Sequence, residues 1–493
     1  MAVMNGVPHA PGGKVASEST SNTKASSTSL KRAADDDLHD VVCVGFGPAS
    51  LAIAVALQDG IEAEDPRLGS SGPKVRFIER QPEYQWHPGM LLDDSKMQIS
   101  FLKDLATLRN PRSRFTFINY LHDQQRLVQF TNVGVMLPSR NEYNDYMRWC
   151  AGAFDSVVDY GRTVTRIEAV ESESATAAVQ CFRVVSSEHQ TGKEFAVRAR
   201  HVIVAIGGRP SIPKALRTSH PRIIHSSQYV THAESLFEHG CYPRRVAVIG
   251  AGQSAAEIFY DIPSRFPGAQ SVLITRGAAL RPSDDSPFVN EVFDPSKTDD
   301  VFAQDPEVRA QLIAANKVTN YGVVRLDLLE KIYSSQYAYR VKRWPVESWP
   351  HLILNHSSVA NVRASEAKDG SALQLVVEQN ETAPCSQKSS AHQILEVDLI
   401  VAATGYERNV HEELMQDLHV MRPDEDAQGW TVGRNYAVRF KEGALEDGRG
   451  IWLQGCNEKT HGLPDSLLSI LSVRAGEVVD SIFGARKGKL SMR

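Results

Sequence analysis

Two glycine fingerprints, each set between a strand-like apolar run and a helix-like run, predict an α/β protein. It is read as two doubly wound, Rossmann-like dinucleotide-binding domains with a small, mainly helical substrate domain. The first fingerprint, Gly45-Phe46-Gly47-Pro48-Ala49-Ser50, directly follows the apolar residues 41–44. The second, Gly250-Ala251-Gly252-Gln253-Ser254-Ala255, directly follows residues 246–249. The helical part is predicted by Val323, Leu326, Leu329, Ile332 and Tyr333, which recur at helical spacing within the less regular stretch 281–340.

In chain order, residues 1–37 are rich in Ser, Thr, Ala and Lys with few large apolar side chains, and are expected to form a disordered arm. Residues 41–44, the glycine turn and 49–58 read as strand, turn and helix. Residues 59–73 carry Gly, Ser, Pro and charge and are expected to be a surface loop. A second strand over 75–79 ends in Glu79, and another over 201–206 closes on Gly207-Gly208-Arg209-Pro210. Strand, helix and strand repeat over 246–249, 253–260 and 271–275. Residues 398–403 form a further strand before Thr404-Gly405, and 365–396 read as a polar loop or hairpin. Such alternation builds parallel sheets with helices on both faces. At 493 residues the chain exceeds a single core. The expected division is a flavin domain over 38–214 completed by 451–493, and a nicotinamide-nucleotide domain over 215–282 completed by 333–407. A substrate domain over 283–332, completed by 408–450, lies between.

At the first turn Gly45 permits the bend, Gly47 lets backbone approach a pyrophosphate, and Ser50 is small enough for helix and strand to pack. Glu79 is the acid expected on the ribose, and the 59–73 insertion accounts for its lying beyond the usual spacing of about 20 residues. At the second turn Gly250, Ala251, Gly252, Gln253 and Ser254 approach the other nucleotide. The strand behind them ends at Arg276, where a guanidinium suits a 2′-phosphate, so NADPH is favoured over NADH. Two nucleotide sites in one chain point to FAD beside NADPH and hence to redox chemistry.

A formal charge of −5 argues against a nucleic-acid partner. No apolar run approaches the ~18 residues of a membrane span. None of the six cysteines forms a Cys-x-x-Cys pair, which disfavours both a disulfide reductase and a metal knuckle; no metal site is expected. Free thiols fit a reducing, cytoplasmic setting. Without a dithiol, oxygen is the obvious electron acceptor.

Asp398, Ala403-Thr404-Gly405-Tyr406 and His411 resemble the signature of N-hydroxylating flavin monooxygenases, with Ala402 where that pattern has Leu or Phe. Residues 97–107 (MQISFLKDLAT), 283–291 (SDDSPFVNE), Thr319-Asn320-Tyr321 and 461–469 (HGLPDSLLS) are more specific. They resemble the fungal L-ornithine N5-monooxygenases over most of the chain. The resemblance implies N5-hydroxylation of free L-ornithine by oxygen through a flavin C4a-hydroperoxide, as a step toward hydroxamate siderophores, in a homotetramer.

It further implies that Lys103 pairs with the ornithine carboxylate while Asn290, Asn320 and Ser469 hold the substrate. Glu291, Val292, Phe293 and Leu467 would line the same pocket. Gln98, Met97, Trp86 and His87 would lie beside the flavin, and Ser466, Leu467 and Leu468 would contact the cofactor where the pocket ends near the reacting amine. Arg140, Tyr321, Gly322, Gln253 and Ser254 would contact NADPH, with Asn320 between nicotinamide and substrate. Val164 would touch FAD through its backbone, and Thr404 and Gly405 would close the nucleotide region. A lysine N6-hydroxylase stays open, because one methylene is worth only about 1–3 kcal/mol of discrimination. So does an uncoupled NADPH oxidase or redox interaction module.

Overall fold

The computed structural model describes residues 27–171, 178–238, 241–364, 373–380, 392–426 and 429–484. Strand Leu38–Val44 lies inside the first sheet, where burial on both faces explains its unbroken apolar run. It pairs in parallel with Val75–Ile78 on one side and Glu194–Val204 on the other. Helix Pro48–Glu62 follows the glycine turn and packs on the C-terminal helix Leu471–Phe483. The sheet order is Val158–Asp159, Val75–Ile78, Leu38–Val44, Glu194–Val204, Val179–Glu188, Arg162–Glu171. Glu194–Val204 forks: its first half pairs antiparallel with Val179–Glu188, and its end pairs in parallel with Gly450–Leu453.

That antiparallel meander departs from the expectation of parallel sheets alone. Its outer strand carries a bulge between Val164 and Arg166, so the buried Val164 and Ile167 stand three residues apart and no clean alternation shows in the sequence.

The second sheet is wholly parallel, in the order His351–Leu354, Gln270–Ile274, Arg245–Ile249, Leu399–Ala402, Ile223–His225. Helix Gln253–Arg265 leaves its central strand through the second glycine turn. A three-stranded antiparallel sheet, Ser357–Ala364, Leu373–Gln379 and Gln393–Val397, packs on one face through Leu373, Leu375 and Val397. Within 365–396, expected as loop or hairpin, residues 365–372 and 381–391 lie outside the described residues, and the rest is mainly strand.

Four expectations are corrected. Helix Pro48–Glu62 consumes the first residues of the supposed 59–73 loop, because Asp59 is buried and accepts bonds from Arg109 (2.6 Å) and Ser113 (2.7 Å). Of the arm, 1–26 lies outside the described residues, whereas 28–37 is docked on the first unit. Leu30 and Ala33 are buried, Thr28 donates to Gln58 (2.7 Å), and Arg32 pairs with Asp159 (2.6 Å). The stretch 408–450 does not chiefly serve the helical region. Leu414, Met415, Leu418, Trp430 and Val438 join Val42, Val44 and Ile167 in one core, covering a face of the first sheet that would otherwise stay wet. Finally, helix Leu326–Val341 runs unbroken across the 332/333 boundary. The remainder of 283–332 is helical as expected, with Pro287–Asn290, Thr298–Ala303 and Pro306–Asn316.

Candidate active site

At the first turn Gly45 has φ +90°, and a Cβ there would stand 2.7 Å from the Ala205 carbonyl oxygen. Glycine is therefore obligatory at this point. Gly47 caps helix Pro48–Glu62 with no side-chain bond, and nothing lies within 4 Å of where its Cβ would be. The unpaired N–H groups of that helix end thus open onto free space, as a pyrophosphate requires. Ser50 is fully buried against the strand. Glu79 accepts the N–H of Phe46 (2.6 Å) and of Gln81 (2.8 Å), stapling turn to second strand. Each of its oxygens keeps a further lone pair for a ribose hydroxyl.

The second turn is built alike. A Cβ on Gly250 would lie 2.4 Å from the Ala403 carbonyl oxygen, and Gly252 faces Gly322, whose Cα is 3.7 Å from a Cβ placed there. The paired glycines keep this helix end uncovered. Ala251 and Ser254 are half-buried beside it. Arg276 is exposed at the end of the neighbouring strand, and its guanidinium has no partner among the described residues. Thr404 donates to the Ser211 carbonyl, while the Gly405 carbonyl accepts from Ser211 N–H (2.9 Å) and His225 Nε2 (3.0 Å). These two residues hold the connection between the units together. Asp398 accepts the Arg244 and Arg245 N–H groups, so it anchors a strand.

Between the turns runs the loop that begins at Trp86. A Cβ on Gly89 would fall 1.9 Å from the Ser227 carbonyl oxygen, so this loop is pressed against the second unit. Trp86 is buried beside Tyr143, and His87 lies 5.8 Å from the Tyr406 ring. His87 is open to solvent yet ringed by protein, the situation of a side chain lining a deep cleft. That crowding pushes its pKa down to about 4, with Arg140, Arg408 and His225 adding to the effect, so its imidazole is neutral. Met97 is buried and its N–H is held by Pro138, while Gln98 is exposed and reaches Gln253 Oε1 at 3.5 Å. Lys103 is half-buried, and its ammonium has no partner among the described residues; only its backbone is engaged, its N–H donating to the Ser100 carbonyl (2.9 Å) and its carbonyl accepting from Tyr143 Oη (3.2 Å). Arg140 forms a fork with Glu257 of the second unit (2.8 and 2.9 Å). The Val164 side chain belongs to the core, which leaves only its backbone for a cofactor.

On the helical side, Asn290 is exposed and donates to the Asp285 carbonyl (2.9 Å). Turn Glu291–Phe293, with Glu291 exposed and Val292 and Phe293 half-buried, packs against Leu463–Ser466. Asn320 is half-buried and its Oδ1 has no hydrogen-bond partner. Tyr321 is 45% exposed and donates to Glu458; crowding by surrounding protein, and then that carboxylate, push the phenol up to about 12. Ser466, Leu467 and Leu468 are half-buried, while Ser469 is 3% exposed with an unpartnered Oγ. Contacts thus run from Gln98 through Gln253 to the 320–325 segment, and from Tyr321 to Glu458.

The buried ion pair Asp465–Arg474 escaped the sequence reading, although Asp465 stands inside the 461–469 motif. The pair is 0% and 2% exposed, and Asp465 also accepts the Asn457 N–H (2.7 Å). Glu257 was missed too. Its one sequence signal is its place four residues after Gln253, on the same helix face.

A family described as L-lysine 6-monooxygenase/L-ornithine 5-monooxygenase matches residues 37–408. The chain is 46% identical over 469 residues to an L-ornithine N(5)-monooxygenase of Cochliobolus heterostrophus, covering 92% of this chain and 88% of the relative. It is 37% identical to the structure of an ornithine hydroxylase from Pseudomonas aeruginosa (TM-score 0.80, 92% of this chain and all of that one). An ornithine N-hydroxylase from Kutzneria, solved with reduced FAD, NADP+ and L-ornithine, is 34% identical (TM-score 0.79, 92% of this chain and all of that one). The fold and paired glycine turns are those of a protein with two dinucleotide-binding units. The chain belongs to the lysine/ornithine N-monooxygenase family. Among the described residues no helix is long and apolar enough to cross a membrane.

Proposed function

We propose that this protein is an FAD- and NADPH-dependent monooxygenase that uses molecular oxygen to hydroxylate the N5 amine of L-ornithine. The supporting observation is that Asn320 Oδ1 and Ser469 Oγ are buried without partners, while the half-buried Lys103 ammonium has no ion pair among the described residues. An unpaired ammonium is available to a carboxylate, and the two buried oxygens are costly unless a ligand completes them. A small zwitterion with a side-chain amine does so: its carboxylate pairs with Lys103, and its N–H groups donate to the two oxygens. Asn290 takes the amino-acid end, next to the turn Glu291–Phe293.

The turn at Gly45–Ser50 and Glu79 holds FAD, and the turn at Gly250–Ser254, with Arg276 on the 2′-phosphate, holds NADPH. Bound flavin supplies electron transfer from NADPH and the activation of oxygen. The protein's own tasks are to bind, to orient and to keep water out. The amine must be neutral to react, and burial beside Ser469 favours its neutral form. Turnover therefore rises from pH 6 to pH 8.5; a profile peaking near pH 6 refutes this part.

The reading includes a cytoplasmic homotetramer supplying hydroxyornithine to hydroxamate siderophore synthesis. It is supported by unpaired Cys43, Cys150, Cys181, Cys241 and Cys456, and by large exposed apolar side chains such as Phe288 (86%). The test is NADPH-driven hydroxylamine formation with ornithine and lysine in parallel. Ornithine must give hydroxylated product at the higher kcat/KM. NADPH consumption without product assigns an oxidase, and faster turnover of lysine assigns the other branch of the family. Lys103→Ala is expected to raise the ornithine KM while NADPH still reduces the flavin.

A further inference from the structure

We propose that Glu257 is a positioning residue for the NADPH site, acting through Gln253 to set where the flavin-side loop meets the second glycine turn. The inference rests on the FAD- and NADPH-dependent reading above. Glu257 is 9% exposed and sits on helix Gln253–Arg265, one turn beyond the glycines and on the same face as Gln253. Gln253 Nε2 donates to Glu257 Oε1 at 2.8 Å. A primary amide has one donating end and one accepting end. Committing the donor to Glu257 turns Gln253 Oε1 outward, where it accepts from the Arg325 N–H (2.8 Å) and from Gln98 Nε2 (3.5 Å). With the amide reversed, its NH2 group would face the Arg325 N–H, donor against donor. Glu257 thereby fixes the orientation of a side chain that touches both the flavin-side loop and the segment just after Asn320-Tyr321-Gly322.

The same carboxylate also joins the two units. Arg140 donates Nη2 to Glu257 Oε1 (2.8 Å) and Nη1 to Oε2 (2.9 Å), and Nη1 also donates to the Met90 carbonyl (2.9 Å). The partners are largely buried, with side-chain exposures of 13% and 8%. A planar fork of this kind specifies direction as well as distance. Arg140 begins a helix of the first unit and Met90 belongs to the loop of Trp86 and His87, so Glu257 ties that loop to the helix that opens the second nucleotide site. A neutral Gln at 257 preserves the volume but brings a competing NH2 group, frees the Gln253 amide to reverse, and leaves the Arg140 charge without its counter-ion.

The test is a double-mutant cycle on the FAD-loaded protein with E257Q, Q253A and E257Q/Q253A. Two quantities are read without ornithine: NADP+ affinity by calorimetry, and the anaerobic rate of flavin reduction at saturating NADPH. E257Q is expected to weaken NADP+ several-fold and to slow reduction by about 10- to 100-fold, the effect of a small misplacement of reacting groups. In the Q253A background E257Q should cost clearly less than it does in the wild type, the remainder coming from the lost Arg140 fork. Multiplying effects of the two changes, or an E257Q protein with wild-type affinity and reduction rate, overturns the inference. Should E257Q load poorly with FAD, E257D, which keeps the charge on a shorter arm, takes its place in the same cycle under the same two outcomes. A wild-type protein that binds NADP+ but is not reduced refutes the proposed function instead, and the NADP+ arm then decides on Glu257.

Discussion

Ser469→Ala separates a substrate-binding serine from a core serine, because the two roles predict opposite signs for stability. Ser469 is 3% exposed and its Oγ has no partner. A buried hydroxyl left unsatisfied costs about 1–3 kcal/mol. Alanine removes that cost and forfeits the packing of one oxygen atom, for a net gain of ~1 kcal/mol in the protein without ornithine. One kcal/mol shifts Tm by ~2–4 °C in a domain of 150–250 residues, so in this longer chain a rise of ~1–2 °C is expected. With ornithine the sign reverses. A hydrogen bond to a charged or developing charged group is worth ~1.5–3 kcal/mol, or roughly ten- to a hundredfold in the ornithine KM. Melting of the FAD-loaded variant without substrate, followed by steady-state hydroxylamine formation, checks both halves. A Tm lowered by several degrees with unchanged KM would show that the hydroxyl serves the core, and the assignment of Ser469 to the substrate would fall.

Asp465→Asn is expected to destabilise by ~3–5 kcal/mol, since it leaves the buried Arg474 guanidinium uncompensated; replacing both residues with apolar ones should recover part of that loss in a thermal melt. Arg276→Ala should raise the NADPH KM about 10- to 100-fold and leave NADH almost unaffected, because only the 2′-phosphate loses a charge-assisted partner; equal effects on both nucleotides contradict its role. Acid should weaken the fold before the carboxylates titrate. His39, His87, His225, His351, His411 and His461 all have pKa values lowered, chiefly by burial. The unfolded chain therefore binds more protons below about pH 6.5, and the stability present above that pH is lost as pH falls toward 4. Melting temperatures at pH 8, 6.5 and 5 should be flat and then fall; a Tm that holds or rises at pH 5 opposes this.

Much of the frame is legible along the chain. Strands such as Leu38–Val44 and Arg245–Ile249 declare themselves because a central parallel strand is apolar on both faces, and the glycines behind them mark the turns. Arg162–Glu171 and Val179–Glu188 were missed because a bulge breaks their period. Residues 408–450 were misplaced because irregular segments carry no periodicity to say which sheet their apolar residues cover. Of the proposed site, the 97–107 and 461–469 motifs pointed to Lys103 and Ser469 through resemblance but could not say which polar groups already had partners.

The sequence by itself determined the two nucleotide turns, because close approach of backbone to backbone at Gly45 and Gly250 admits no other residue. Through the 97–107, 283–291 and 461–469 motifs it also carried the resemblance to the L-ornithine N5-monooxygenases. Tertiary structure alone decided which groups remain free and which are spent. Asn320 Oδ1 and Ser469 Oγ are buried without partners and the Lys103 ammonium has no partner among the described residues, whereas Arg140 is engaged by Glu257. The reason is physical: hydrogen bonding and charge pairing are settled between residues far apart in sequence, and a donor's availability is a property of its neighbours in space.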